Sequence, residues 1–216
     1  MGLMPTNMEK QLTPTPTIKR LSLYFNYLRE LYEDGVSTIS SQMLAEHFSL
    51  NPAQVRRDLS SFGQFGKRGA GYVVEELTWH IAEIMGIDKP KMVVVIGAGN
   101  LGTALLAYKG FSTHGFQIVA AFDSNPDKVG RPIRDKMCYP LSELPQIVAR
   151  KSVDMAILAT PEEVAQSVLE QIIASGIRAV LNFTTVQLSV PPGIHLVSVD
   201  LSSKLKTLSY LLTNRL

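Results

Sequence analysis

The stretch VVVIGAGNLG, residues 93–102, runs four apolar residues into three glycines spaced Gly-x-Gly-x-x-Gly at Gly97, Gly99 and Gly102. Alone, that string is weak, because glycine is common and a strand-to-helix turn needs no ligand. Its context is what dinucleotide chemistry requires, an apolar strand before it and a helix from Asn100 to about Tyr108 after it. Gly97 then makes the turn, Gly99 lets backbone approach a pyrophosphate, Gly102 lets the helix pack on the sheet, and the helix N-terminus faces the anion. Asp123 closes the next strand, QIVAAFD, 21 residues beyond Gly102. A carboxylate there accepts hydrogen bonds from a ribose 2′-hydroxyl and repels a 2′-phosphate, which favours NAD(H) over NADP(H). Lys128 and Arg131 point the other way, since both are within reach of a 2′-phosphate. An empty Rossmann scaffold is the alternative.

Toward the C-terminus the alternation continues through DMAILAT, a helix over 161–175, RAVLNF and HLVSVD. Apolar strands with intervening helices predict a parallel sheet covered on both faces. After the last strand, Leu201, Leu205, Leu208 and Leu212 form an apolar stripe, with Lys204, Lys206 and Arg215 off it. Such a stripe buries against its own sheet or against another subunit.

Toward the N-terminus, glycine and proline in GIDKPK, residues 86–91, mark a linker. Before it lie an amphipathic helix carrying Leu21, Tyr24, Phe25, Leu28, Leu31 and Tyr32 and stopped at Gly35, then a short helix capped by Ser40 or Ser41 with Met43, Leu44 and Phe48 inward. A third helix starts at Asn51-Pro52 and runs to about Phe62. A glycine hairpin and a helix from about Glu75 to Met85 complete the order of a winged helix-turn-helix. The predicted class is α/β: an N-terminal winged helix-turn-helix domain, a Rossmann-type parallel-sheet domain and a C-terminal helix.

Within QVRRDLSSFGQFGKRGAGY, residues 54–72, Val55 and Leu59 face the core. Gln54, Arg56, Arg57, Ser60 and Ser61 are left to reach bases and phosphates in a major groove, and Lys67 and Arg68 at the hairpin tip suit phosphate or minor-groove contact. A solvated basic loop is the bland reading of any one of them. The charge is local: residues 1–89 hold nine Lys and Arg against ten Asp and Glu, and the whole chain is only +2.

Composition is that of a globular chain, 45% hydrophobic and 19% charged, with no apolar run long enough for a bilayer span and no visible secretory signal. Cys138 is the single cysteine, which excludes an intrachain disulfide or a cysteine metal cluster and fits a reducing cytoplasm; it reads as a buried small side chain. No metal site is predicted. The opening MGLMPT formally matches the myristoylation pattern, but Pro5 lies inside it and the proline-rich segment reads as a disordered tail.

From about Ile18 to Leu216 the chain resembles the Rex family of bacterial redox-sensing transcriptional repressors. The strings that carry the resemblance are QVRRDLSSFGQFGKRGAGY, VVVIGAGNLGTALLAY, FDSNPDKVG, ILATPEEVA, VLNFT and VDLSSKL. It implies a homodimer that binds an inverted-repeat operator through its winged helices, joined through Rossmann domains and a C-terminal helix swapped onto the partner. It further implies that NADH closes the dimer and releases DNA while NAD+ competes. By position, it gives Gly97, Gly99, Asn100, Leu101 and Gly102 to pyrophosphate, Asp123 to the adenosine ribose, and Thr160, Pro161, Asn182, Phe183 and Thr184 to the nicotinamide side; Lys128 is counted with the cofactor-binding residues. Tyr108 would sit near the nicotinamide and meet Asp200 of the swapped region. Two positions depart from the family pattern. Asn26 stands where some members pair a first-helix arginine with that aspartate, leaving Arg20 or Arg29 as substitutes, and Thr185 stands where proline is usual.

The domains expected are a disordered tail over 1–17, a winged-helix DNA-binding domain over 18–86, a Rossmann NAD(H) domain over 87–200 and a dimerisation helix over 201–216. An NAD-dependent oxidoreductase with an accessory domain is the alternative. It needs a placed acid or base beside the hydride acceptor, and none of His47, His80, His114 and His195 reads as one. The expectation is therefore a cytoplasmic, non-catalytic regulator with NADH and NAD+ as effectors.

Overall fold

In the computed structural model, which describes residues 13–66 and 71–214, the chain divides between Lys89 and Pro90 into two units. The first unit opens with α1 (Thr15–Glu33). Residues 15–17, expected in the tail, are therefore helical. Pro16 tolerates the first turn because no intrahelical partner awaits its missing N–H. The rest of the expected tail, residues 1–12, lies outside the described residues.

After β1 (Thr38–Ile39) come α2 (Ser41–His47) and α3 (Pro52–Ser60). Each starts on a side-chain cap: Ser40 Oγ accepts from Met43 N at 3.1 Å, and Asn51 Oδ1 accepts from Ala53 N at 2.8 Å. Contrary to expectation Met43 is 48% exposed, and Ala45 packs inward beside Leu44 instead. The glycine hairpin also needs correction. Among the described residues no strand precedes the turn, where Gly63 and Gly66 have φ of 152° and 72°. The returning strand β2 (Tyr72–Val73) pairs antiparallel with β1, setting Ile39 opposite Tyr72. That approach demands Gly71, whose φ is 79° and where a Cβ would lie 2.7 Å from Ile39 O. Next, α4 (Val74–Met85) ends on Gly86 in the left-handed conformation. Leu21, Tyr24, Leu28, Ile39, Leu44, Val55, Leu59, Leu77 and Ile81 form one buried core.

The second unit begins with β3 (Lys91–Ile96), α5 (Asn100–Ala107), the single turn α6 (Gly110–Thr113) and β4 (Phe116–Phe122). A short hairpin of β5 (Pro132–Ile133) and β6 (Lys136–Tyr139) follows, then a 3-10 turn at Leu141–Glu143 and α7 (Leu144–Lys151). The chain continues through β7 (Met155–Leu158), α8 (Glu162–Ala174), β8 (Ala179–Asn182) and β9 (His195–Ser198) to α9 (Leu201–Asn214). Strand order is β5-β6-β4-β3-β7-β8-β9, parallel except for β5 at the edge. The chain runs outward from β3 through β4 to β6 and then crosses back to lay β7 on the other side of β3, so a crevice opens at the C-terminal ends of these strands.

One sheet face is fully covered: Val94, Ile96, Phe122 and Leu158 pack under Leu144 and Ile147 of α7 and Leu169 and Ile172 of α8. The other is covered by Leu106 of α5 and Phe111 of α6 over Val93, Val95, Ile118 and Ile157. The cover stops there. The link from β8 to β9 has no helix, and Met155, Leu181, His195 and Val197 line an open, almost wholly apolar groove of about 360 Å³. The expectation of helices over both faces fails on this half. Every described residue of α9 is exposed, with Leu205 at 67% and Leu212 at 79%. Among the described residues no helix is long and apolar enough to cross a membrane.

Candidate nucleotide cleft and nucleic-acid interface

The crevice at the strand ends is a cleft of about 670 Å³ built on the glycine turn. The three glycines divide their work. Gly97 has φ of 92°, and a Cβ there would sit 2.5 Å from Ala159 O; one on Gly102 would sit 1.8 Å from Gly97 O. Both positions are closed by backbone. A Cβ on Gly99 meets nothing within 4 Å, so this glycine leaves open space on the cleft side where an anion can reach the start of α5.

Asp123 sits just beyond β4, opposite the turn. Its Oδ2 accepts from Ala98 N at 2.9 Å and from Lys128 Nζ at 3.2 Å, and its Oδ1 accepts from Asn125 N at 2.8 Å. Burial by itself would raise the carboxyl. The backbone donors and the Lys128 ammonium outweigh it and hold the group below the usual carboxylate range, so it is anionic at neutral pH. Lys128 Nζ also donates to Ala98 O at 3.0 Å, which ties the carboxylate, the lysine and the glycine turn into one unit. On the β7 side of the glycine turn the cleft is lined by Thr160, Pro161 and Phe183. Thr160 Oγ1 is buried with no hydrogen-bond partner, an orphan that a ligand can satisfy. An open glycine at the helix start, an anionic carboxylate at ribose distance along the motif and an unpaired hydroxyl all fit a dinucleotide. Sequence reasoning missed the apolar wall of Leu141 and Val164. Its one sign was Val164 on the otherwise polar outer face of α8.

In the first unit, α3 carries the candidate DNA-reading residues. Val55 and Leu59 are buried, as expected. Gln54 Nε2 donates to Asp58 Oδ1 at 2.8 Å and Arg56 Nη1 to Ser41 Oγ at 3.0 Å. Ser60 Oγ and Ser61 Oγ donate back to the carbonyls of Arg57 and Asp58. Arg57 is exposed and has no such partner among the described residues. Lys67 and Arg68 lie outside the described residues. Asp58 is a residue that sequence reasoning passed over. It is 3% exposed and accepts from Arg20 on α1 and from Tyr24 Oη at 3.0 Å. The signal was present, because Asp58 follows Val55 by three residues and so falls on the buried face of α3.

Two family descriptions match the chain, "Putative DNA-binding protein N-terminus" over residues 13–60 and "CoA binding domain" over 88–186. The redox-sensing transcriptional repressor Rex of Pelotomaculum thermopropionicum is 41% identical over 208 residues, covering 96% of this chain and 98% of that protein. The Rex protein of Syntrophobacter fumaroxidans is 43% identical over 198 residues, 91% and 94% of the two chains. The chain belongs to the Rex family. Among solved structures, RSP, a Rex-family repressor, in complex with β-NAD+ and operator DNA is 38% identical at a TM-score of 0.89 over 95% of each chain. RSP in complex with β-NADH is 37% identical at a TM-score of 0.84, over 95% of this chain and 97% of that one.

Several residues that the Rex pattern assigns to the ligand stand outside this chain's cleft. Asn182 is fully buried: its Oδ1 accepts from Thr184 N at 2.9 Å and from Thr184 Oγ1 at 2.7 Å, and its Nδ2 donates to Ser198 Oγ at 3.1 Å. Asn182 and Thr184 therefore brace the loop on which Phe183 projects. Tyr108 is 59% exposed at the far end of α5 from the glycine turn. Asp200 caps α9, accepting from Ser202 Oγ at 2.7 Å and Ser203 N at 2.9 Å. Tyr108 and Asp200 do not meet within this chain. Of the two arginines offered as substitutes for one at Asn26, Arg20 is engaged by Asp58 and Arg29 by Glu33.

Proposed function

We propose that this chain is an NADH/NAD+-responsive transcriptional repressor that binds an inverted-repeat operator as a homodimer and leaves it when its clefts fill with NADH. One observation carries the reading: a single chain, similar over 95% of its length to a repressor solved with NAD+ and operator DNA, joins a capped helix presenting Arg57 to an open glycine-turn cleft ending on an anionic Asp123. A chain that reads operator DNA works in the cytoplasm.

In this reading Gly97, Gly99, Asn100, Leu101 and Gly102 cradle the pyrophosphate, and Asp123, fixed by Lys128, accepts from the adenosine ribose. Thr160 Oγ1 takes the nicotinamide amide, with Pro161 and Phe183 as the apolar wall. Asn182 and Thr184 contribute by holding Phe183. The reduced ring is neutral and the oxidised ring cationic, so an apolar wall separates them. Gln54, Arg56, Arg57, Ser60, Ser61, Lys67 and Arg68 face the operator.

The bare groove along β7, β8 and β9 and the exposed leucine stripe of α9 are two uncovered apolar surfaces in one chain. Exchange of α9 between Rossmann units covers both and brings Tyr108 of one subunit toward Asp200 of the other. The switch is a population shift: the cleft must bind NADH more tightly in the closed dimer, and the operator then weakens NADH by the same factor. A hundredfold effect needs about 2.7 kcal/mol.

The chain acts without catalysis. Among the described residues no histidine lines the cleft, and Asp123 is its one carboxylate. The test is operator binding at fixed salt with NADH and NAD+ titrated separately, run beside an assay of NADH oxidation with carbonyl substrates. Release by NADH with no turnover is expected. Sustained turnover, or operator binding indifferent to NADH, overturns the proposal.

A further inference from the structure

The glycine at position 110 has no backbone reason to be there. Gly110 opens α6, and its φ lies outside the left-handed region. Alanine is the better helix former at such a place. What a side chain would meet is the ring of Tyr108: the three atoms nearest an added Cβ are Tyr108 Cζ at 2.4 Å and its Cε1 and Oη at 2.5 Å. The hydroxyl end of that ring lies on the bare Cα of Gly110. Phe111 holds the ring from a second side, edge to face, with centroids 5.0 Å apart at 84°. Tyr108 itself adopts an extended ψ of 105°, which breaks α5 from α6 and folds the ring back over the next turn. An otherwise exposed tyrosine is thus given one orientation by two neighbours.

We infer that Gly110 is a positioning residue of the redox switch, required because its missing side chain lets the Tyr108 ring lie down in the orientation from which its hydroxyl couples to Asp200 of the partner subunit. The inference rests on the role given to Tyr108 above. The clash is with the free end of a side chain, so Gly110→Ala is relieved by swinging the ring out and should leave the fold intact. The ring that swings out no longer presents its hydroxyl where the dimer needs it.

The experiment uses the full-length protein in four forms: wild type, Gly110→Ala, Tyr108→Ala and the double variant. For each, the melting temperature, the operator affinity without effector, and the NADH concentration that half-releases the operator are measured. Gly110→Ala is expected to keep the melting temperature and the effector-free operator affinity, and to raise the half-release concentration about tenfold, within the usual range of allosteric coupling. The double variant is expected to respond like Tyr108→Ala alone, because a residue that acts through the ring has nothing left to act on once the ring is gone. A Gly110→Ala protein that releases at the wild-type concentration overturns the inference, as does a Gly110→Ala effect that persists in full without Tyr108. If Gly110→Ala unfolds and Tyr108→Ala restores its melting temperature without restoring release, the ring contact stands; if Tyr108→Ala restores nothing, it falls. Tyr108→Ala with a normal response sinks the role of Tyr108 itself, whereas an impaired Tyr108→Ala beside a normal Gly110→Ala sinks only that of Gly110.

Discussion

Arg20 on α1 clasps Asp58 on α3 through two hydrogen bonds, Nε to Oδ2 at 2.6 Å and Nη2 to Oδ1 at 2.7 Å. The pair is unequal: the Asp58 side chain is 2% exposed and that of Arg20 is 22% exposed. Losing Arg20 strands a buried carboxylate, whereas losing the charge of Asp58 leaves a guanidinium that can still reach water. Arg20→Met should therefore destabilise the protein by about 3–5 kcal/mol, and Asp58→Asn by less, because asparagine still accepts from Arg20. Urea denaturation of the two variants checks the order.

The same pair fixes a sign with pH. Burial by itself would raise the Asp58 carboxyl, but the hydrogen bonds from Arg20, Gln54 and Tyr24 outweigh it and hold the group below its usual range. A depressed folded value means that the stabilisation is complete above the ordinary carboxylate range and is lost as pH falls through the folded value. Wild type should lose stability as pH falls below the ordinary carboxylate range. In Arg20→Met the burial effect is left without its main opponent, so acidification over the same window should cost that variant less. Parallel losses in the two proteins would show that Asp58 does not govern this range.

Arg57 stands apart from its neighbours on α3. Gln54 and Arg56 are tied to Asp58 and Ser41, and the Ser60 and Ser61 hydroxyls to carbonyls of their own helix. Arg57→Ala should weaken the operator complex by about 1–3 kcal/mol if it reads a base, and by more than Arg56→Ala does. Equal or reversed losses, measured at one salt concentration, would take Arg57 out of the groove.

How much of this was legible in the sequence depends on what each residue answers to. Gly97, Gly102 and the caps Ser40 and Asn51 answer to local geometry, and spacing exposes them. The β3 and β4 strands answer to their apolar runs. The β5-β6 hairpin was missed because its strands are only two and four residues long, too short for an apolar run to mark them. The β1-β2 pairing joins residues more than thirty positions apart, so a local reading supplied a hairpin instead. Asn182 and Thr184 look like ligand residues in a motif, yet Asn182 is held by Thr184 and Ser198 and the Thr184 hydroxyl by Asn182, which spacing cannot reveal. The half-bare sheet was misread because strands alone do not say which connection lacks a helix.

The last two glycines of the motif should fail in different ways. Gly102→Ala drives a Cβ into Gly97 O and should destabilise the Rossmann unit, whereas Gly99→Ala places its methyl in open space and should fold normally. That methyl stands where the pyrophosphate must approach, so Gly99→Ala should weaken NADH at least tenfold, about 1.4 kcal/mol. Calorimetry and a melt on each variant separate the two; a Gly99→Ala protein with wild-type NADH affinity would move the pyrophosphate elsewhere.

Asp123 cannot be altered cleanly, since its carboxylate also holds Ala98 N and Asn125 N. Lys128→Met is the sharper change. It leaves those backbone bonds in place and removes the one cation on the carboxylate, so the carboxyl rises toward its ordinary value while staying ionised near neutral pH. NADH affinity should then fall only a few-fold, while any residual binding of NADPH, whose 2′-phosphate needs a cation here, should disappear. Unchanged NADPH binding in Lys128→Met would exclude the lysine from the ribose end.

Removal of α9 tests what joins the subunits. Leu201, Leu205, Leu208 and Leu212 are between 56% and 79% exposed, and no residue of the helix is buried in its own chain. Packing on its own sheet, the alternative open from the sequence, is absent. Truncation after Asp200 should therefore leave both cores folded and their melting nearly unchanged. Each leucine buried in a partner contributes roughly 2 kcal/mol, and two helices are lost per dimer, so the truncated protein should sediment as a monomer at micromolar concentration. A monomer reaches one half-site and forfeits the gain from two linked sites, so tight operator binding should vanish with the dimer. A truncated protein that stays dimeric, holds the operator and answers to NADH would show that another surface joins the subunits and that the leucine stripe serves some other partner.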